Sequence, residues 1–186
     1  MPPFMRKLTI HELNRLTVED FKNTEKFPLC VVLDNVRSLH NVGAAFRTCD
    51  AFAVNKLWLG GITGRPPHRE ITKTALGSDE SVPWEHAPDV PALVARLRAE
   101  GWQVVAVEQT TGSVPLPAFQ PAPNQPLALV FGNEVFGVDD AVLGHCDAAV
   151  EIPQFGTKHS LNVSVTVGVL VWDVLTKWGV TAQAAP

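Results

Sequence analysis

The stretch "PLCVVLDN", residues 28–35, decides the fold class. Every residue from Leu29 to Leu33 is apolar, and two of the five are valines. A strand with one face in water alternates polar and apolar residues, whereas a continuous apolar run predicts a strand buried on both faces. An aspartate and an asparagine follow where the strand ends. The stretch therefore indicates a parallel sheet that is covered by helices on both sides.

The same type of strand recurs along the chain, separated by segments with helical spacing. The further apolar runs are "KLWLGG" (56–61), "WQVVAVE" (102–108), "LALVFG" (127–132) and "AAVEIP" (148–153). Helices are predicted over "NVGAAFRTCDAFAV" (41–54), over "PDVPALVARLRAEG" (88–101) with Asp89 as cap and Gly101 as stop, and over 160–178. Strands that alternate with helices predict an α/β fold with a parallel sheet flanked by helices.

Length and composition indicate one globular domain. The chain has 186 residues, of which 46% are hydrophobic and 18% charged. We expect an N-terminal helical extension over 1–27, where Thr9 and Glu12 have capping-box spacing, then a domain over 28–180 and a tail over 181–186. No apolar run is long enough for a membrane span or a signal peptide, which favours a cytoplasmic protein. The three cysteines have no metal-site spacing, so no metal is expected.

Charge is unevenly distributed along the chain. The formal net charge of −4 is made up of +4 over residues 1–73 and −8 over residues 74–186. Such an asymmetry can mark a surface that binds a polyanion, although a chance unevenness in solvated charge explains it equally well.

Three polar loops follow predicted strands: "LDNVRSLHNVGAAFRT" (33–48), "FGNEVFG" (131–137) and "IPQFGTKHSLNVS" (152–164). In open α/β sheets, ligands bind beyond the carboxyl ends of the strands, where these loops meet. The common nucleotide and hydrolase signatures G-x-G-x-x-G and G-x-S-x-G do not occur. "GNEVFG" also lacks the lysine and hydroxyl residue of a phosphate loop.

In order and spacing, the three loops resemble the motifs of the SpoU (TrmH-like) branch of the SPOUT RNA methyltransferases. The first matches at Asn41, Gly43 and Arg47; the second at Gly132, Asn133, Glu134 and Gly137; the third at Ile152, Pro153, Gly156, Ser160, Leu161, Asn162, Ser164 and Val165. The resemblance covers about residues 28 to 178. Gln154 and the pair Lys158–His159 stand where the family is variable or more often apolar or acidic, and these residues are candidates for substrate contact.

The resemblance implies a sheet whose C-terminal part forms a deep trefoil knot, S-adenosylmethionine as cofactor, the 2′-hydroxyl of an RNA ribose as acceptor, and a homodimer with sites built at the interface. Many rRNA-directed members carry a separate N-terminal RNA-binding domain, and only about 27 residues precede the first strand here. We therefore expect tRNA rather than rRNA. The alternative is a non-catalytic RNA-binding or assembly module that keeps the SPOUT fold.

The predicted catalytic residues are Arg47, Asn41, Glu134, Ser160 and Asn162. A guanidinium at Arg47 can hold a phosphate or stabilise an alkoxide, whereas the plain alternative is an ion pair with Asp50. Asn41 is expected to cap its helix and also to touch the substrate. Glu134 either orients Arg47 or a ribose hydroxyl, or simply accepts backbone N–H groups.

The last loop poses a similar choice. Ser160 is expected to cap the final helix and to line the methyl-transfer site, while a cap alone is the simpler account. Asn162 is a mediocre helix former within the first turn, which favours a functional role.

Two further groups of residues are predicted. By family analogy, the cofactor contacts are Glu108, Gln109, Thr110, Gly132, Asn133, Ile152, Gly156, Ser160 and Leu161. Contacts to RNA phosphates are expected from Arg6, Lys7, Arg15, Arg65, His68, Arg69 and Lys73. The alternative is that these residues belong to an ordinary solvated loop and N-terminal extension.

Overall fold

The computed structural model describes residues 5–9, 11–123 and 125–180. Its strands are β1 Phe27–Asp34, β2 Val54–Gly60, β3 Trp84–Ala87, β4 Gln103–Val107, β5 Val114–Pro115, β6 Leu127–Phe131 and β7 Ala148–Glu151. Its helices are α1 Val18–Asn23, α2 Leu39–Ala51, α3 Arg69–Ala75, α4 Ser78–Ser81, α5 Val90–Ala99, α6 Asp140–Leu143 and α7 Val163–Lys177. The strands form one sheet in the order β3-β2-β1-β6-β4-β7-β5, and every neighbouring pair is parallel.

The sheet is buried on both faces, as the continuous apolar run predicts. Successive side chains of a strand point to opposite faces. Leu29, Val31 and Leu33 accordingly lie in the core beneath α2, α3 and α7, whereas Cys30 and Val32 lie in the core beneath α5 and α6. The α/β class with a helix-flanked parallel sheet is therefore confirmed.

Two strands were not predicted from the sequence. β3 contains the polar residues Glu85 and His86, and β5 is only the pair Val114–Pro115. Both lie at the edges of the sheet, where one side of the strand lacks a neighbour and the pattern of burial is weak.

The predicted caps of two helices are wrong. α7 begins at Val163 with Asn162 as its N-cap, whose Oδ1 accepts the Ser164 amide at 2.9 Å. Ser160 lies two residues earlier in non-helical backbone, too far from the first free amides to cap them. α2 is capped by Ser38, whose hydroxyl accepts the Asn41 amide, so Asn41 lies in the first turn.

The N-terminal extension is less helical than its capping box suggests. Glu12 does accept the Thr9 amide at 2.8 Å, but the helix there is a single 3-10 turn, His11–Leu13. The positive φ of Asn14, 45°, follows that turn directly. The α-helix of this region is α1, capped by Thr17.

The predicted tail, 181–186, lies outside the described residues. No helix within the described ranges combines the length and apolarity needed to cross a membrane.

Candidate functional site

A cavity of about 550 Å³ opens at the carboxyl ends of β4, β6 and β7. Its walls are residues 107–109, 131–137, 150–152, 154, 159–163 and 166. Parallel strands end at the same edge of the sheet, so these segments meet although they are far apart in sequence. The cavity lies within the size range of pockets that hold small molecules and cofactors.

The wall that follows β6 is a tight turn from Gly132 to Gly137. The backbones of Asn133 and Gly137 exchange two hydrogen bonds of 2.9 Å. The Asn133 side chain accepts the amides of Val135 and Phe136 and donates to the Asn35 carbonyl at 2.7 Å. A Cβ on Gly132 would lie 2.0 Å from the Gly137 carbonyl carbon, so this close approach requires glycine.

Glu134 holds the loop between β1 and α2. Its carboxylate accepts the amides of Arg37 and Ser38 and the Asn41 side-chain amide, each at 3.0 Å. Burial acts to raise the pKa of Glu134, but the hydrogen bonds from those backbone amides, its own amide and Asn41 outweigh burial and lower the pKa below its ordinary value. A carboxylate occupied in this way is a poor proton acceptor.

Asn41 joins this carboxylate to the start of α7. The Asn162 side-chain amide donates to Asn41 Oδ1 at 3.1 Å, while Asn162 Oδ1 accepts both the amide and the hydroxyl of Ser164. The chain Glu134–Asn41–Asn162 therefore links the loops that follow β6, β1 and β7. Three of the predicted catalytic residues form one network that fixes these loops relative to one another.

The wall after β4 is held by side chains as well. Glu108 accepts the amides of Gln109 and Val138, at 2.8 and 2.9 Å. Gln109 donates to the His159 carbonyl at 2.7 Å, and Gln154 reaches the same carbonyl at 3.4 Å. Two glutamines thus fasten the base of the loop before α7 to the rest of the pocket.

Most of the predicted cofactor residues line the cavity. Those that do are Glu108, Gln109, Gly132, Asn133, Ile152, Ser160 and Leu161. Thr110 and Gly156 do not, so the structure does not place them in the pocket wall. Thr110 instead closes a turn with Ser113, and a Cβ on Gly156 would meet nothing within 4 Å.

Arg47 lies apart from the cavity of its own chain. It is exposed on α2, beyond the residues of the pocket wall. Within the described residues no hydrogen bond or ion pair joins it to Asp50 or Glu134. Asp50 instead accepts the Ser81 hydroxyl at 2.5 Å. The ion pair expected as the plain alternative is therefore not formed, and neither is the predicted contact with Glu134.

The predicted RNA contacts differ in how freely they present charge. Arg6 is paired with Glu12 at 2.5 Å, and Arg65 donates to Nδ1 of His86 at 3.1 Å. His68 caps α3, where its ring accepts the Glu70 amide. Lys7, Arg15 and Arg69 are exposed, and Lys73 is exposed with its ammonium group 4.0 Å from the Glu70 carboxylate.

Sequence reasoning missed three backbone donors of the site. The amides of Arg37 and Ser38 fix Glu134, and the amide of Val138 fixes Glu108. Backbone donors have no sequence signature of their own. The only available signal was their place in the loops that follow buried strands.

Comparisons with known proteins identify the family of this chain. The model of the SpoU rRNA Methylase family matches residues 28–172. The chain belongs to the SpoU rRNA Methylase family. A curated relative, the 23S rRNA (guanosine-2′-O-)-methyltransferase RlmB of Vibrio parahaemolyticus, is 30% identical over 165 residues, which are 88% of this chain and 65% of the relative. The chain thus spans less than two thirds of that relative.

Two solved structures of RNA-modifying enzymes have a similar fold. The TrmH/SpoU tRNA modifying enzyme of A. aeolicus superposes with a TM-score of 0.77 at 27% identity, covering 87% of this chain and 82% of the other. The AdoMet-bound rRNA methyltransferase of Sinorhizobium meliloti gives a TM-score of 0.75 at 28% identity, covering 84% of this chain and 59% of the other. The family resemblance inferred from the three loops is confirmed.

Proposed function

We propose that this SpoU-family chain is an S-adenosylmethionine-dependent RNA methyltransferase that methylates a ribose 2′-hydroxyl. The observation that carries the proposal is the cavity itself. Its walls contain the second family motif and the third-motif residues Ile152, Ser160, Leu161 and Asn162. The hydrogen-bonded chain Glu134–Asn41–Asn162 ties the first motif to both. The names of the similar RNA methyltransferases support the same reaction.

The cavity suits S-adenosylmethionine. Val107, Val150 and Ile152 offer apolar surface. The carboxylates of Glu108 and Glu151 add negative charge beside the place for a cationic sulfonium ligand. The residues that would hold the cofactor are Glu108, Gln109, Gly132, Asn133, Ile152, Ser160 and Leu161. S-adenosylmethionine supplies the transferable methyl group when it is bound.

The protein groups have separate tasks in this proposal. Arg47, which is always charged, stabilises the developing 2′-alkoxide or holds the neighbouring phosphate. Glu134 and Asn41 keep the loop after β1 in place, and Asn162 fixes the start of α7 against it. Ser160 lines the cavity and offers a hydroxyl toward the ribose.

Ribosomal RNA is the favoured substrate class, contrary to the expectation of tRNA. The curated relative and the Sinorhizobium meliloti enzyme are both named for rRNA, whereas the A. aeolicus enzyme is named for tRNA. The tRNA expectation rested on the length of chain before the first strand, which says little about which RNA fits the site.

We also propose a homodimer in which Arg47 of one subunit completes the cavity of its partner. α7 exposes an apolar stripe of Val165, Val169 and Trp172, of which Val165 and Trp172 are exposed by 52% and 60%. The spacing places these three residues on one face of the helix, and the exposed Leu161 lies just before it. A second copy that covers this face would also explain why Arg47 stands apart from the cavity of its own chain.

The deep trefoil knot remains part of the proposal. It is supported by the family relationship and by the sheet order, in which β7 is inserted between β4 and β5. Tracing the chain of a crystal structure from both ends tests it.

The reaction is tested by cofactor binding and by the product. Calorimetry is expected to detect S-adenosylmethionine binding, and nucleosides of rRNA from cells lacking the protein are expected to lose one 2′-O-methyl group in mass spectrometry. No binding at millimolar cofactor would support the non-catalytic module instead.

Arg47→Ala is predicted to retain cofactor affinity and to lower kcat by about 10²–10³-fold, as loss of a charge-stabilising donor does. Lys22→Ala removes a positive charge from the exposed face of α1 and serves as the control, with unchanged turnover. Wild-type turnover of Arg47→Ala would remove this residue from the mechanism.

A further inference from the structure

Two phenylalanines at the cavity are exposed to solvent to an unusual degree. Phe136 is 84% exposed and Phe155 is 98% exposed. The other six phenylalanines among the described residues are buried or half-buried. Burial of a phenylalanine side chain stabilises a fold, and these two rings make no such contribution. A ligand that covers them would account for this exposure.

The two rings come from different loops. Phe136 lies in the cavity wall itself, at the tip of the turn that follows β6. Phe155 is not part of the wall, but its short loop runs between Gln154 and His159, and both of these residues line the cavity. The loop that carries Phe155 therefore borders the cavity at both of its ends.

The backbone on which each ring stands is held in place. The Phe136 amide donates to the Asn133 side chain, and the Asn133–Gly137 bonds close the turn beneath it. The loop of Phe155 is fastened at its base by Gln109 and Gln154, both of which donate to the His159 carbonyl. Aromatic rings on a fixed backbone lose little conformational entropy on binding.

The chemistry beside Phe155 favours a nucleic acid over a protein partner. Residues 155–160 are all exposed, and they include the basic side chains of Lys158 and His159. Aromatic rings interleaved with positive charge are the means by which proteins bind single-stranded nucleic acid: bases stack on the rings, and the cations contact phosphates. The apolar stripe of α7 lacks such charges within its exposed positions.

We propose that Phe136 and Phe155 form a stacking platform for unpaired RNA bases, so that the acceptor ribose is drawn from a single-stranded or flipped-out nucleotide. Bases within a duplex are stacked on one another and cannot place a face on either ring. The platform deepens the methyltransferase proposal and rests on it for the identity of the ligand as RNA.

The test uses the full chain and a fluorescein-labelled single-stranded RNA of about 12 nucleotides, compared with a duplex of equal length, by fluorescence anisotropy. Phe155→Ala and Phe136→Ala are each expected to weaken single-strand binding about tenfold, the usual effect of removing one stacking ring. Phe155→Trp is expected to restore affinity, whereas Phe155→Leu, apolar but not aromatic, is not. Leu76→Ala, which shortens an exposed side chain directly after α3, is the control.

Salt dependence separates stacking from charge. The slope of log affinity against log salt reports phosphate contacts. It is expected to stay unchanged in the phenylalanine variants and to become shallower in Lys158→Ala.

Several outcomes overturn the platform: wild-type affinity in both alanine variants, full rescue by Phe155→Leu, or equal binding of duplex and single strand. Light scattering of Phe155→Ala provides a further test. If the molar mass falls to that of one chain, the Phe155 ring belongs to a contact between copies, and the platform is overturned. These results leave cofactor binding and methyl transfer untouched. Conversely, the protein could fail to bind S-adenosylmethionine while the phenylalanine variants still weaken single-strand binding. That result would contradict the methyltransferase proposal and leave the platform standing.

Discussion

At the scale of single residues, the site depends on side chains that satisfy one another. Glu134, Asn41 and Asn162 look like catalytic groups in the sequence, yet their polar atoms are mostly engaged in hydrogen bonds with one another and with backbone amides. A side chain engaged in this way orders the loops around the cavity. Arg47 is the exception, since it is exposed and makes no contact with Asp50 or Glu134.

Glu134→Gln is predicted to lower the midpoint of thermal unfolding at pH 7 by about 2–4 °C. This corresponds to a loss of about 1 kcal/mol in the free energy of unfolding, because an exposed, partly screened carboxylate is replaced and its charged hydrogen bonds are lost. Because folding lowers the pKa of Glu134, the stabilisation by its carboxylate is present above the ordinary glutamate pKa of about 4.3 and is lost as the pH falls through the folded-state pKa. The gap between wild type and variant is therefore expected to shrink toward pH 3.

Scanning calorimetry across this pH range measures the gap. Glu25→Gln removes the same charge from an exposed side chain and is expected to leave the midpoint nearly unchanged throughout. A gap at pH 3 as large as that at pH 7 would show that the carboxylate form is not what stabilises the loop.

At the scale of elements, α2 and α3 pack closely through Gly43. A Cβ at this position would lie 2.0 Å from Thr74 Oγ1 and 2.4 Å from the Ile71 carbonyl oxygen. Thr74 in turn donates to the His40 carbonyl, at the start of α2. The family motif therefore contains a glycine for a packing reason.

Gly43→Ala is predicted to destabilise the fold by about 1–3 kcal/mol, because the added methyl group forces the two helices apart. Denaturant unfolding measures the change. Gly112→Ala, where a Cβ meets nothing within 4 Å, is the matched control and is expected to be neutral or slightly stabilising. Equal stabilities of the two variants would contradict the close approach at Gly43.

The central elements were predictable from the sequence, and the edges and termini of elements were not. β6 is apolar throughout and β1 is apolar from Leu29 to Leu33, so the burial of these residues follows from pattern alone. Ser160 and Asn162 are both good caps, and only the path of the backbone decides that Asn162 caps α7. Arg47 was predicted from the motif, but its distance from its own cavity depends on tertiary structure that no local pattern contains.

At the scale of the whole molecule, the proposed sharing of sites between subunits has a direct consequence. The test is a heterodimer of one Arg47→Ala chain and one Gly132→Ala chain, isolated by two different tags. The Arg47→Ala chain has the intact cavity, and the Gly132→Ala chain supplies the intact arginine to that cavity, so one of the two shared sites is complete. About half the wild-type activity is then expected, since a dimer has two such sites. Each homodimer alone is expected to be inactive.

The same heterodimer tests the alternative that each chain carries its own complete site. In that case both chains are defective and the heterodimer has no activity.

Val169→Glu, on the exposed stripe of α7, is expected to yield monomers by light scattering. Ala92→Glu, exposed on α5, is the control that leaves the assembly intact.

The position of β1 in the sheet also bears on how the chain is made. β1 pairs with β2 on one side and with β6, residues Leu127–Phe131, on the other. During synthesis from the N-terminus, β1 and β2 are complete long before β6 leaves the ribosome. Until then β1 is an apolar strand with an open edge, the kind of surface that invites pairing with another nascent chain. Folding of the centre of this molecule must therefore wait for its second half, and the loop after β1 cannot be anchored by Glu134 before residue 134 has been made.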